Sequence, residues 1–383
     1  MPEQCHICLY QPYYKSKGHF SDYFDRFATF LQAHTDCNLH GVLESDGEQK
    51  QSSRIRLHSF QPTLKTKKRS VLNNLDALFT LHNRVPKCNI YHFLDAELFL
   101  LFLYLLIFKS RYHGSTIVVT QHSTNSYTNS FGKKIYRRFI QAVYKMARKK
   151  LQICFITNGR AIGENLKQFF NIPPANIQLS EWGADIVDAN TDEAKTPNSF
   201  LVAGMLRKDK GLELLARVLP EISSPLRLTI AGYPVDYTSD EIRNMFSSLP
   251  DQIEINFQLT YLNSSSFHRL LHSHEFLIIP YKPENKSSSG PLIQGLLSGI
   301  IPIVSDYGER GRIVNEYASG ISFEYTENSL KKALRRALDI PAEEKRRMAL
   351  QNKNLSNTFS WNAIFREYTN AYVRWSGITL IEE

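Results

Sequence analysis

The chain has 383 residues, more than one typical hydrophobic core holds, so two domains are expected. An apolar fraction of 42% is that of an ordinary globular protein, with no low-complexity tract and no solenoid-spaced repeat. The net charge of +9 is uneven: residues 98–163 hold eleven Lys or Arg and no Asp or Glu, an asymmetry that describes partners rather than fold. The opening MPEQCHICLY lacks a basic region followed by an apolar core and a small-residue cleavage site, which argues against a secretory signal. The longest apolar run, residues 98–108, is eleven residues between Glu97 and Lys109. It is too short to span a bilayer and reads as a buried helix, with an interfacial segment as the alternative. Five cysteines make no disulfide framework, and their odd number suits a reducing, cytoplasmic compartment. Cys5 and Cys8 form a Cys-x-x-Cys at the start of a strand. There is no second pair for zinc and no helix at the second Cys, so neither metal nor redox chemistry is expected there.

In chain order, CHICLYQPYY reads as a strand and loop. Ser21 is the expected N-cap of DYFDRFATFLQA, where Phe20, Phe24, Phe27 and Leu31 share a face. LHGVLES is a second strand, and residues 50–70, polar and basic, read as surface. NIYHFLDAE is a strand end before the apolar helix, and STIVVTQHS is a buried strand. KKIYRRFIQAVYKMARKK is helical, QICFITN a strand, GRAIGENLKQFF a helix, and NIQLSEWGADI a short strand and turn. Residues 186–199, polar and carrying Pro197, are the best linker. The alternation then restarts with SFLVAGML and runs through LRLTIAGYP, QIEINFQL, EFLIIPY and IPIVS as strands with a helix between each pair, then SGISFEY as a last strand followed by helices around SLKKALRRAL and PAEEKRRMALQNKN. FSWNAIFREYTNAYVRW is a terminal amphipathic helix. Strands alternating with helices give an α/β fold of two Rossmann-like, doubly wound domains, with ligands expected where strand carboxyl ends face a crevice. The expected boundaries are an acceptor-side domain over 1–188, a linker over 189–199, a donor domain over 200–355, and a helix over 356–383 that returns to the first domain.

Two stretches point to an anion. Arg207 and Lys210 lie three apart after a strand, and Ser288, Ser289 and Gly290 open a helix. A helix start exposes unpaired N–H groups and a partial positive charge. Gly290 lets the backbone approach closely, and serine hydroxyls add donors. A solvent-exposed turn is the bland account of the first stretch, and N-capping of the second. His122 ends a buried strand, a place from which side chains point into the crevice. It reads either as a contact for sugar or acceptor or as a satisfied structural histidine, and His92 has the same ambiguity. Asp22, Asp95 and Glu97 are acids able to accept an acceptor proton, and the sequence does not choose among them.

Several pieces in order resemble the GT-B-fold glycosyltransferases of the large retaining family four, the group 1 glycosyltransferases. They are GMLRKDKG, LTIAGYP, LIIPYK followed by SSSGPLIQGLLSGIIPIVS, FITNGRAIGENLKQFFNIPPANI with WGAD, and FSWNAIFREY. The likeness is firmest over residues 150–375. It implies a nucleotide-sugar donor held by Gly204, Gly232, Ser288, Ser289, Gly290 and Gln294, with His122, Arg207 and Lys210 serving the reaction. It also implies an acceptor side that includes Gly18 and His19, with His92 near it, and retention of anomeric configuration. Many members carry two glutamates in the donor site; here those positions hold Lys286 and Gln294. Gln294 is placed to bond ribose hydroxyls, and Lys286 reads equally as a positive contact or a solvated lysine. The chain has no Asp-x-Asp, the motif that holds a metal in the other common transferase fold, so a metal-independent reaction with no cofactor is expected. The donor is UDP-, GDP- or ADP-linked, and the acceptor a saccharide or lipid-linked saccharide of surface polysaccharide or glycolipid synthesis. A catalytically silent nucleotide-sugar-binding paralogue and a GT-B-fold epimerase are the alternatives. A dehydrogenase is disfavoured because no Gly-x-Gly-x-x-Gly follows the first strand.

On a helical wheel of residues 133–150, Lys134, Arg138, Gln141, Lys145 and Arg148 form a basic stripe. Ile135, Phe139, Ala142, Val143 and Met146 form an apolar one, expected to pack on the sheet. The basic stripe reads as a solvated face, as a contact with an anionic membrane surface that would make the protein peripheral on the inner face, or as a nucleic-acid contact. The last lacks any recognisable binding module, so no nucleic-acid partner is expected.

Overall fold

A computed structural model describes residues 5–15, 20–44, 55–62, 71–122, 131–186 and 195–381. The chain divides into two compact units, one of residues 1–181 with 364–383, the other of residues 182–363.

In the first unit, chain order runs β1 (His6–Gln11), α1 (Phe20–His34), β2 (Asn38–Glu44), β3 (Ile55–Phe60), α2 (Val71–Arg84), β4 (Ile90–Phe93), α3 (Leu98–Ile107), β5 (Thr116–Gln121), α4 (Phe131–Ala147), β6 (Gln152–Asn158), α5 (Arg160–Phe170) and β7 (Ile177–Ser180). The seven strands are parallel, in the order β3-β2-β1-β4-β5-β6-β7. The order reverses between β1 and β4. Both faces are covered, so the central strands are continuous apolar runs such as IVV in β5, buried from Thr116 to Thr120.

The second unit holds β8 (Thr196–Ala203), α6 (Leu212–Val218), β9 (Leu226–Ala231), α7 (Ser239–Met245), β10 (Ile253–Gln258), α8 (Ser264–Ser273), β11 (His274–Ile279), α9 (Gly290–Leu297), β12 (Ile301–Ser305), α10 (Gly308–Glu316), β13 (Ile321–Phe323), α11 (Glu327–Asp339), α12 (Ala342–Lys353) and α13 (Ser356–Phe359). Its six parallel strands lie in the order β10-β9-β8-β11-β12-β13 and reverse between β8 and β11. Two apolar clusters fill the two faces of this sheet. The last helix, α14 (Trp361–Ser376), enters the first unit from Ile364 onward. There Phe365, Tyr368, Tyr372 and Trp375 are buried.

Five expectations need correcting. The first helix begins at Phe20, so Ser21 lies inside it rather than capping it. Residues 55–60, expected as surface, form the edge strand β3; an edge strand has only one neighbour, so its arginine and histidine side chains need not be apolar. β8 starts at Thr196, inside the expected linker, because Pro197 sits at the opening of the strand, where a missing N–H is tolerated. Residues 187–194 of that linker lie outside the described residues. Cys5 and Cys37 form a disulfide. Each precedes one of two neighbouring parallel strands, and the register that sets His6 opposite Asn38 brings their Cα atoms to 4.6 Å. Cys8, Cys88 and Cys154 are buried free thiols.

The fifth correction concerns α4. The face turned to the sheet holds Ile140, Tyr144 and Ala147. Tyr144 fixes the rotation: its ring packs tilted against Phe102 and edge-on against Phe155 and Phe170 at centroid distances of 5.2, 5.7 and 5.3 Å. Most of the stripe expected to pack is turned outward, with Ile135 43%, Phe139 58% and Met146 55% exposed, and only Val143 of it packs against the core. The helix α3, by contrast, is buried through Leu98, Leu101, Phe102, Tyr104 and Leu105. No helix among the described residues is long and apolar enough to cross a membrane.

Candidate active site

In the second unit the loops after β8 and β11 lie side by side, because those strands are neighbours where the sheet order reverses. An open α/β sheet takes ligands at this point. Glycines make the approach possible. Gly204 and Gly232 end β8 and β9 with φ of +118° and +140°, and a Cβ on Gly232 would stand 1.7 Å from the Gly204 carbonyl oxygen. Gly211, at φ +72°, leaves room for the Pro280 carbonyl, which a Cβ would meet at 1.8 Å.

Asp209 joins the two loops. Its carboxylate accepts from Arg207 Nε and Nη2 at 3.0 and 2.9 Å and from Asn285 Nδ2 at 2.8 Å. Its carbonyl accepts from Lys282 N–H at 3.0 Å. Lys210 lies with its ammonium 3.5 Å from the centre of the Tyr281 ring, a cation–π contact. Burial pushes the Lys210 pKa down. Burial alone would raise that of Tyr281, but the charges of Lys210 and Arg310 and the bonds from Lys210 and Ser289 together bring it below its ordinary value. Arg310, fully buried, stands on Tyr281 with its guanidinium carbon 4.7 Å from the ring centre. It donates to Asn285 Oδ1 at 3.3 Å, to the Ser287 carbonyl at 2.9 Å and to the Asn285 carbonyl at 2.5 Å. Burial lowers its pKa to about 10, still leaving it a cation at neutral pH.

Tyr281 in turn reaches the start of α9, with its hydroxyl 3.5 Å from Ser289 Oγ. Ser289 is the N-cap of that helix, its Oγ accepting from Leu292 N–H at 3.4 Å. The Ser288 hydroxyl is buried and has no hydrogen-bond partner among the described residues. A Cβ on Gly204 would stand 3.4 Å from Pro291, so the end of β8 borders the first turn of α9. Gln294 is half-buried on the next turn, and Lys286 is exposed.

Of the residues expected at the anion site, the second unit therefore gathers Gly204, Arg207, Lys210, Ser288, Ser289 and Gly290 around one sheet end. Tyr281, Arg310, Asp209 and Asn285 were not singled out from sequence. Tyr281 had a legible signal, since an aromatic at the carboxyl end of a core strand faces the same crevice as its neighbours. Arg310 had none, because its partners, two backbone carbonyls and the side chains of Asn285 and Tyr281, all lie in another loop. Two buried or half-buried cations, a third at Arg207, and a helix amino terminus can hold a polyanion and stabilise charge that grows on it.

The first unit places its candidates differently. His122 follows β5 and is half-buried. Its Nε2–H donates to the Leu94 carbonyl at 2.8 Å, and its Nδ1 accepts from Asn158 Nδ2 at 2.7 Å, a pairing that sets the tautomer. Asn158 Oδ1 accepts from Tyr368 on α14 at 2.5 Å, and the Tyr23 hydroxyl donates to that of Tyr368 at 3.1 Å. His92, expected on the acceptor side, is fully buried. Its ring bonds the Tyr372 hydroxyl at 2.5 Å and Thr120 Oγ1 at 2.6 Å, which makes it a core histidine closed to any ligand. Burial, aided by His122, presses its pKa down to about 3. Glu97 caps α3, accepting from Phe99 and Leu100 N–H at 3.3 and 2.8 Å. Asp22 is exposed and Asp95 half-buried. Gly18 and His19 lie outside the described residues.

Residues 185–355 match the family model described as Glycosyl transferases group 1. Among curated proteins, a glycogen synthase of Chlorobium phaeobacteroides is 26% identical over 187 residues, which are 47% of this chain and 37% of that protein. The chain thus spans little more than a third of the length of the curated relative it matches. Solved structures similar to it include a glycosyltransferase from Rickettsia africae, at TM-score 0.67 and 14% identity over 97% of this chain and 98% of that one. The catalytic domain of Arabidopsis thaliana starch synthase IV, bound to ADP and acarbose, gives 0.66 and 14% over 98% and 99%. Anabaena HepE in complex with UDP and glucose gives 0.67 and 13% over 96% and 99%. At these identities the structural likeness speaks for the fold, two Rossmann-like domains of the GT-B type, and the family model for the second unit, where residues 185–355 match the group 1 glycosyl transferases.

Proposed function

We propose that this chain is a glycosyltransferase that moves a sugar from a nucleotide donor to a saccharide or lipid-linked saccharide, without a metal ion and with retention of configuration. The observation that carries the reading is the meeting of the β8 and β11 loops through Lys210, Tyr281 and Ser289 at the amino end of α9. Breaking a sugar–phosphate bond leaves negative charge on the departing diphosphate. A site accelerates that step when it stabilises the charge more in the transition state than before it. Arg207, Lys210 and the amides opening α9 are fixed positive groups suited to that task, and the unpartnered Ser288 hydroxyl is a further donor. Gly290 leaves the backbone open to a phosphate oxygen, and Gln294 takes the ribose hydroxyls. The glycogen synthase relative and the neighbours solved with ADP or UDP support a nucleotide diphosphate as the leaving group. The acceptor belongs to polysaccharide or glycolipid assembly, and the protein works at the cytoplasmic face of a membrane.

The test is a thermal-shift panel of UDP, GDP and ADP against the bare nucleosides, followed by hydrolysis and transfer assays of the matching sugar donors with and without a chelator. Arg207→Ala and Lys210→Ala are each expected to weaken diphosphate binding about tenfold or more while leaving nucleoside binding nearly unchanged, as expected for a charge-assisted contact worth roughly 1.5–3 kcal/mol. Equal losses for both ligands would remove the phosphate assignment, and loss of turnover with chelator would remove metal independence. Because Lys286 and Gln294 stand where many relatives have glutamates, a silent binding protein is the second reading. It predicts the same diphosphate binding with no transfer to any acceptor. An epimerase would form product from donor alone.

A further inference from the structure

The outward turn of α4 leaves an amphipathic surface that the fold itself does not cover. At about 100° per residue, Ile135, Phe139, Ala142 and Met146 fall within roughly 60° of one another. All four are exposed, and Phe139 and Met146 are each more than half exposed. Ile107, at the end of the neighbouring helix α3, is 63% exposed. Exposed cations flank the stripe: Arg138 and Lys145 on one side, Lys149 and Lys150 just beyond the helix end. Residues 98–163 contain no Asp or Glu, and a carboxylate that does meet α4, Glu97, accepts from the Tyr136 hydroxyl near the start of the helix rather than pairing with these cations. A helix that packed on another protein chain would not need so one-sided a charge, and a merely solvated helix would not present two large apolar side chains in line. Apolar residues along one face with cations beside them match a bilayer interface, where the apolar stripe enters the acyl boundary and the cations meet anionic headgroups.

We propose that α4 docks this chain on an anionic lipid surface, with Phe139 and Met146 inserted and Arg138, Lys145, Lys149 and Lys150 paired with headgroup phosphates. The attraction is not a basic stripe alone, as the sequence implied, but a stripe whose apolar half is free to insert because Tyr144 holds the helix with that side outward. The proposal does not rest on the transferase reading, since membrane binding is read without donor or acceptor.

The experiment is flotation of the full chain with vesicles of phosphatidylcholine alone and with a third phosphatidylglycerol. Wild type should float with the anionic vesicles and lose binding more than tenfold with the neutral ones or in 0.5 M salt. Each cation near the surface contributes about fivefold, so Arg138→Glu with Lys145→Glu should cost at least twenty-fivefold. Phe139→Glu with Met146→Glu should abolish flotation while leaving the melting temperature unchanged, because both side chains lie in solvent. In a Phe139→Trp chain, brominated acyl chains should quench fluorescence beyond the quenching seen with wild type. Flotation unaffected by the Phe139 and Met146 changes would overturn the proposal. So would a concentration-dependent dimer of the free protein that Phe139→Glu dissolves, which would show that a second copy covers the stripe.

Discussion

Arg310 shows how a residue with no sequence signature organises the candidate site. A fully buried guanidinium is costly unless its donors are used; here three bonds from its two terminal nitrogens go to Asn285 and Ser287 and its face meets Tyr281, while its Nε has no partner among the described residues. The loop that leads into α9 is thereby fixed from beneath, and Tyr281 is held between two cations. Arg207 and Lys210 were legible as two cations three apart after a core strand, with a solvent-exposed turn as the other reading. The histidines were not. His92 lies inside β4, opposite Val118, whereas His122 lies just past the end of β5. His92 is sealed in the core by Tyr372 and Thr120, contacts that come from α14 and β5 and leave no trace in local sequence. That burial has a pH consequence. His92 stays neutral in the folded unit down to about pH 3, whereas in the unfolded chain it takes a proton near 6.5. Below pH 6.5 the unfolded state therefore binds the extra proton, and stability falls by about 1.4 kcal/mol per pH unit for this one group. Between pH 7 and pH 5 the first unit should lose about 2 kcal/mol from His92, with a further loss from His40, whose pKa burial lowers to about 4. Urea midpoints at the two pH values measure it, and His92→Gln should flatten the dependence by the His92 share.

At the scale of elements, the alternation of strand and helix was legible almost throughout because parallel strands covered on both faces are long apolar runs. What escaped was whatever depends on a neighbour. β3 is an edge strand whose partner is β2, α2 and α10 have mixed compositions, and the rotation of α4 is set by three aromatic rings from α3, β6 and α5. The Cys5–Cys37 bond needs the β1–β2 register, which no composition rule supplies. Glycines separate the two kinds of constraint in a testable way. Gly211→Ala forces a Cβ to within 1.8 Å of the Pro280 carbonyl at a φ of +72°, so it should destabilise the second unit by about 2 kcal/mol or more. Gly290→Ala meets nothing closer than Trp182 Nε1 at 3.6 Å, so the fold should tolerate it. Its methyl group would instead crowd the amides that open α9. Chemical denaturation with and without a nucleoside diphosphate distinguishes them: Gly290→Ala should keep the wild-type midpoint and lose most of the ligand-induced increase.

For the whole molecule, chain order and domain membership part company at the carboxyl end. The first unit is built from residues 1–181 and completed by residues 364–383, which are made only after the second unit. That final segment is not an appendage. Phe365, Tyr368, Tyr372 and Trp375 are buried in the first unit, with the Tyr368 hydroxyl on Asn158, the Tyr372 hydroxyl on His92 and the Trp375 indole on the Ala175 carbonyl. Burying four such side chains is worth roughly 1.5–3 kcal/mol each, about 6–12 kcal/mol together. An entire domain is usually stable by only about 5–15 kcal/mol. A chain ending at residue 363 should therefore fail to fold its first unit, leaving the apolar faces of α1 and β5 exposed. The second unit has its own two apolar clusters, all from residues 184–359, and should stay folded. Calorimetry of the shortened chain should show one cooperative transition where the intact chain has two, and that surviving transition should still rise in temperature with a nucleoside diphosphate. If the first unit kept its transition without residues 364–383, the helix would be a lid on a core already sufficient, and the aromatic contacts with His92 and Asn158 would have to be counted as ornament to the fold rather than part of it.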